Sequence, residues 1–111
     1  MKKVLIICAA GMSSSLIARK TTHYFGSKGE SIDVEATPAT LGLGKIVTDE
    51  FDLYLVSPQT MAYFEKFQAL AIKKSKPIKS IPSEAYLPVP ESVDKLARMI
   101  EEILKESEIK R

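Results

Sequence analysis

Short apolar runs alternate with longer amphipathic stretches along this chain of 111 residues. KVLIIC (3–8) is an unbroken apolar run, the pattern of a strand covered on both faces. Residues 13–28 predict the following helix, with Ser13 or Ser14 as its cap and Gly26 and Gly29 as stop signals. Its apolar stripe is incomplete, resting on Leu16, Ile17, Tyr24 and Phe25. SIDVEA (31–36) sets Ile32, Val34 and Ala36 against Asp33 and Glu35, which predicts an edge strand. The glycine-interrupted TLGLGKIVTDE (40–50) predicts one or two helical turns, and DLYLVS (52–57) a second buried strand closed by Pro58. Tyr63, Phe64, Phe67, Leu70 and Ala71 recur at three-four spacing and predict an amphipathic helix with its aromatic residues in the core. PIKSI (77–81) reads as a fourth strand, and IPSEAYLPVP (81–90), with three prolines in ten residues, as a surface loop. Val93, Leu96, Ala97, Ile100, Ile103 and Leu104 form one apolar face of a final helix, with Glu91 and Asp94 near its start and Lys105 near its end suiting the helix dipole.

Strands alternating with helices imply an α/β fold: a four-stranded parallel open sheet with helices on both faces. The length suits a single domain, 1–111. Ligands of such sheets bind beyond the carboxyl ends of the strands. That rule places Cys8, Pro58 with Gln59, and Ser83 with Glu84 on one rim.

Composition narrows the function. Hydrophobic content of 45% and charged content of 27% are those of an ordinary globular protein. No apolar run approaches the ~20 residues that span a bilayer, and the four apolar residues directly before Cys8 are too few for a secretory h-region of ~7–15. The expectation is a cytoplasmic protein without direct membrane insertion. One cysteine makes no internal disulfide, and with one histidine it is too little for a zinc site. Residues 1–29 contain Lys2, Lys3, Arg19, Lys20 and Lys28 and no acid, a charge of +5 against −3 for the remainder. A mildly positive front suits an anionic ligand such as phosphate. It is not the dense basic stripe of a nucleic-acid binder.

Within that front, CAAGMSSS (8–15) carries the chemistry. Unpaired backbone N–H groups and the dipole at a helix mouth stabilise negative charge, and so lower a thiol pKa from its free value of about 8.5 without a neighbouring histidine. The same groups would hold phosphoryl oxygens. Ala9, Ala10 and Gly11 let the backbone curl around an anion, and Ser13, Ser14 and Ser15 add hydroxyls. Against this stands the plainer reading of a free cysteine as a small, inert core residue. A cysteine phosphatase would place an arginine six residues after the cysteine to bind the phosphoryl oxygens bidentately; here that residue is Ser14. Arg19 falls one and a half turns into the helix and His23 about three turns along it, both directed elsewhere. Without the arginine, hydrolysis loses several kcal/mol of transition-state stabilisation, of the order of ~3 kcal/mol for one lost donor. A site that bears a phosphoryl group but hydrolyses it poorly is a carrier. The alternatives left open are a cysteine-dependent phosphatase or arsenate-reductase-like enzyme, and a binding module with a buried cysteine.

CAAGMSSSLI closely resembles the active-site loop of enzyme IIB of the lactose/cellobiose/chitobiose family of the bacterial sugar phosphotransferase system. The resemblance continues through VEATPATL, DLYLVSPQTMAYF and PIKSIPSEAY, with departures at Ser57, where relatives often carry glycine, and Pro82. It implies a sheet of order 2-1-3-4, similar to low-molecular-weight tyrosine phosphatases. It implies that Cys8 accepts a phosphoryl group from a phosphohistidine on enzyme IIA and passes it to a disaccharide bound by the membrane component IIC. On that model Ala9, Ala10, Gly11, Met12, Ser13, Ser14 and Ser15 cradle the phosphoryl group, and no metal or other cofactor is used; composition gives no strong self-association signal, so a monomer is the default expectation. Met12, Pro58, Gln59, Ser83 and Tyr86 would form a partner-facing rim.

Overall fold

Nothing in the first apolar run resists burial, and it forms the central strand. Strand β1 (Lys2–Cys8) keeps Val4, Leu5, Ile6 and Ile7 at no more than 1% exposure. The computed structural model describes residues 1–9 and 12–109. In it β1, β2 (Ile32–Pro38), β3 (Leu53–Val56) and β4 (Ile78–Ser80) make a parallel sheet of order β2-β1-β3-β4, as the resemblance implies. Helix α1 (Met12–Ser27) joins β1 to β2, α2 (Ala39–Thr48) joins β2 to β3, and α3 (Phe64–Lys73) precedes β4. Helix α4 (Pro90–Ile109) closes the chain.

Because side chains alternate across a strand, β1 feeds two cores. Val4, Ile6 and Cys8 pack with Leu53 and Leu55 under α1 and α4, against Ile17, Phe25, Leu96 and Ile100. Leu5 and Ile7 pack with Tyr54 and Val56 under α2 and α3, against Ile46, Phe67 and Ala71. β2 lies at the edge. Val34 faces inward, Ile32 and Ala36 pack beside it, and Glu35 faces out, 3.8 Å from Lys3 Nζ.

The structure corrects three local expectations. α2 is a full helix of 10 residues, not one or two turns. Its glycine at 42 acts as a spacer, since a Cβ there would lie 2.8 Å from Phe67 Cε1 and 3.1 Å from Ile7 Cγ2. The aromatic cluster after β3 does not begin the α-helix at Tyr63. Pro58–Tyr63 winds as a 3-10 helix that leaves Tyr63 54% exposed, while Phe67 is buried. The proline-rich stretch after β4 also turns inward. Ser83–Ala85 makes a short 3-10 turn, and Ile81, Ala85 and Tyr86 are buried in the core that holds Cys8.

Candidate active site

The chain runs from β1 to β2 on one side and then crosses back to β3 on the other, so the strand order reverses at the carboxyl end of β1. Ligand-binding crevices open at such a point. Cys8 is the last residue of β1, paired in register with Pro38 and only 3% exposed. Its thiol donates to Ser14 Oγ at 2.8 Å and lies 3.4 Å from the Thr37 carbonyl oxygen. Ser14, expected in the phosphate cradle, therefore reaches the sulfur with its side chain from the first turn of α1.

The other two walls come from the connections after β3 and β4. Ser57 is fully buried; its N–H donates to the Ile7 carbonyl at 2.9 Å, tying the start of the 3-10 helix to β1. Its hydroxyl shares a 2.5 Å hydrogen bond with that of Thr60, which is also buried. From the β4 side comes Tyr86, buried in the same core as Cys8. Burial, together with the negative charge that Cys8 can carry, pushes the Tyr86 phenol up to about 12. The expectation that Tyr86 belongs to a partner-facing surface is overturned, because 9% of it is exposed. Its ring fills the core beside Ile81 and Ala85, and the turn that aims it inward is closed by Tyr86 N–H bonding to the Ser83 carbonyl at 3.1 Å.

Of the remaining candidate residues, Ala9 and Ser15 are exposed beside the thiol. Ala10 and Gly11 lie outside the described residues, as do the side chains of Met12 and Ser13. Pro58 is half-buried, and Gln59 and Ser83 are exposed, at the carboxyl-end rim of the parallel sheet. Arg19 and His23 are not brought to the thiol; both line a groove between α1 and β2 with Asp33 and Glu35. Nine residues of helix separate Ser14 from His23, a rise of about 13 Å. Glu84 is exposed, and its backbone carbonyl, not its carboxylate, is engaged, accepting from Ser92 Oγ at 2.6 Å. Among the described residues, no three His, Cys, Asp or Glu side chains come together to hold a metal ion.

Sequence reasoning missed Ser57, Thr60 and the Thr37 carbonyl. Ser57 had left a trace, as a hydroxyl where relatives often carry glycine. The thiol thus meets a hydroxyl and a carbonyl, a pair that can hold a proton on sulfur, and the hydroxyl can turn around to donate to negative charge there.

Comparison with known proteins matches this architecture. The family model described as "PTS system, Lactose/Cellobiose specific IIB subunit" matches residues 3–98. The lactose-specific IIB component domain of the phosphoenolpyruvate:carbohydrate phosphotransferase system from Streptococcus pneumoniae superposes with a TM-score of 0.79 at 18% identity, over 92% of this chain and 96% of that one. The cellobiose-specific phosphotransferase IIB component from Borrelia burgdorferi superposes with a TM-score of 0.72 at 25% identity, over 96% of this chain and 94% of that one. No curated protein matches the chain in sequence. With its family model spanning the sheet and the thiol-bearing rim together, this chain belongs to the lactose/cellobiose-specific IIB subunits of the phosphotransferase system, a sugar-phosphotransfer component.

Proposed function

We propose that Cys8 is the phosphoryl-carrying nucleophile of this subunit. The thiolate attacks the phosphorus of a phosphohistidine on enzyme IIA. The S–P bond forms as the N–P bond breaks, and the departing imidazole nitrogen takes the electron pair and then a proton. In the second transfer a hydroxyl of the disaccharide held by IIC attacks the same phosphorus, and the sulfur leaves as thiolate. The hydroxyl proton passes to a base on the acceptor side. Backbone N–H groups of residues 9–15 cradle the phosphoryl oxygens, and Arg19 and Lys20 contribute a general positive field. Met12, Pro58, Gln59 and Ser83 form the rim that meets IIA and IIC. The protein acts as one cytoplasmic domain, a monomer without a cofactor, reaching the membrane only through IIC; no helix among its described residues is long and apolar enough to cross one.

The observation that carries this reading is the place of Cys8, at the carboxyl end of the central strand where the strand order reverses, its thiol bonded to Ser14, the position where a cysteine phosphatase has arginine. Intact mass after mixing with phosphoenolpyruvate, the two general phosphotransferase proteins and a family IIA tests it. The expected result is a persistent gain of one phosphoryl group, absent from Cys8→Ser. Steady turnover of an aryl phosphate with no stable adduct would instead establish a hydrolase.

A further inference from the structure

An open sheet has two edges, and each must be kept from pairing with another chain. The β4 edge is only 3 residues long, opens after Pro77 and carries the exposed Lys79. The β2 edge runs for 7 residues and has a proline only at its end, Pro38. Backbone groups point to alternate sides along a strand. Ser31 turns its carbonyl toward β1, accepting from Lys2 N–H at 3.1 Å, so Ile32, Val34 and Ala36 turn theirs outward. At the middle of these three the outward groups are taken. Thr22 Oγ1 of α1 accepts from Val34 N–H at 2.8 Å and donates to the Val34 carbonyl at 3.1 Å. One hydroxyl thus supplies the acceptor and the donor that a neighbouring strand would supply. The adjacent Thr21 instead bonds back to the Ile17 carbonyl at 2.7 Å, the usual resort of a threonine within a helix. Elsewhere α1 leaves this edge open, since a groove lined by Ala18, Thr22, Val34 and Ala36 runs between the helix and β2.

We propose that the Thr22 hydroxyl guards the β2 edge against a second copy of this chain, occupying the ladder position that the copy's own β2 would need. A second copy is the partner to be excluded because it presents the same edge. A two-fold axis through Val34 would pair the two edges antiparallel, each supplying the donors and acceptors the other lacks. In that register Val34 faces Val34 and Ile32 faces Ala36, an apolar set, while Asp33 stands opposite Glu35, a pairing of like charges that opposes the contact. Lys3 offsets part of that repulsion, with its Nζ 3.8 Å from Glu35 on the same sheet. Charge therefore weakens the pairing, and the hydroxyl denies it the central hydrogen-bonded pair. β2 ends at Pro38, the register partner of Cys8, so a copy seated on this edge would flank the thiol-bearing rim. The guard keeps that rim open, whatever chemistry the thiol performs there.

The test is sedimentation velocity of the full chain over a range of concentrations, at low salt and at about 1 M salt, where charge repulsion is screened beyond about 3 Å. Thr22→Val keeps the shape of the side chain and removes the hydroxyl, whereas Thr22→Ser keeps the hydroxyl. At high salt Thr22→Val is expected to self-associate about tenfold more tightly than wild type or Thr22→Ser, with amide exchange at Ile32 and Ala36 slowed in the associated form. Wild type and Thr22→Val sedimenting alike, whether both single or both associated, overturns the proposal. Association shared by Thr22→Ser also overturns it, because packing and not the hydroxyl would then be the cause. So does association that leaves Ile32 and Ala36 exchanging as before, since the contact would lie elsewhere. Should Thr22→Val lose cooperative melting, Thr22→Ala takes its place, and exchange of the wild-type Val34 amide is read beside it. Exchange about tenfold slower at Val34 than at Ile32 and Ala36 supports the guard; equal rates overturn it.

Discussion

Two glycines of α2, two residues apart, should respond to alanine with opposite signs. At Gly44 an added Cβ meets nothing within 4 Å, so Gly44→Ala should collect the helix-propensity difference and stabilise the protein by about 0.5–1 kcal/mol. At Gly42 the same gain is offered, but the new Cβ would sit 2.8 Å from Phe67 Cε1, 3.1 Å from Ile7 Cγ2 and 3.2 Å from Phe67 Cζ. A buried aromatic ring and a short branch on the central strand can yield only by moving helices or strand. Overpacking of this kind costs about 1–3 kcal/mol. The net expectation is that Gly42→Ala destabilises by about 1 kcal/mol, so that the two variants differ by about 2 kcal/mol. Urea unfolding monitored by circular dichroism reads this as midpoints on either side of wild type with unchanged slope. Adding Phe67→Leu to Gly42→Ala should cost less than Phe67→Leu does in wild type, since the ring that clashes is the atom group removed. Gly42→Ala as stable as Gly44→Ala would refute the claim that glycine at 42 spaces α2 from the sheet.

Three further outcomes follow from contacts elsewhere. Asp94 accepts from the Tyr24 hydroxyl at 2.5 Å and from Arg98 Nε at 3.0 Å, and the Tyr24 hydrogen bond first, then the Arg98 and Lys28 charges, hold its carboxyl below the usual carboxylate range. A lowered folded pKa stabilises above the unfolded value and is lost as pH falls through the folded one. Asp94→Asn should therefore melt below wild type at pH 7 and converge with it in strong acid, as thermal scans across pH would show. Tyr54 is fully buried, its hydroxyl has no hydrogen bond within the described protein, and burial pushes it up to about 12. Its proton is held more tightly folded than unfolded, so stability declines from about pH 10 toward 12. Tyr54→Phe should cost less than about 0.5 kcal/mol at neutral pH, below the ~1 kcal/mol of a lost hydrogen bond, and should flatten the alkaline decline seen by urea unfolding. Ser92→Ala removes the bond to the Glu84 carbonyl that fastens α4 to the Tyr86 turn, and should lower stability by about 1 kcal/mol in the same assay.

The sheet was legible because β1 and β3 are unbroken apolar runs and β2 alternates, and α4 because its stripe is wholly aliphatic. The buried face of α1 was not, since it consists of Ser14, Ile17, Ala18, Thr21 and Phe25. These keep three-four spacing, but two are hydroxylic; Thr21 becomes tolerable inside by bonding back to the Ile17 carbonyl at 2.7 Å. Hydropathy registers such a face as polar. The thiol was found from its neighbours in sequence, and the family resemblance carried the strand order. Ser57 and the inward turn of Tyr86 escaped because they lie 49 and 78 residues beyond Cys8 in the sequence, and prolines around Tyr86 signal a loop without saying which way its side chains turn. α2 was underestimated for a related reason: glycine weakens a helix by itself, and only contact with Phe67 and Ile7 shows what its absence of side chain permits.

The position of β1 has a consequence for the order in which this protein becomes functional. The strand made first lies in the middle, and each of its ladders joins segments far apart: Val4 pairs with Val34 on one side and Leu53 on the other. No hairpin offers a local shortcut, because every pairing is parallel, so contact order is high and assembly waits on loop closure. A nascent chain that has not yet delivered residues 53–56 leaves the rim half built, and the ring from position 86 arrives later still. The thiol is thus encoded in the first strand but gains its surroundings only with topological closure, which makes the shielding of one thiol a clock for the folding of the whole sheet.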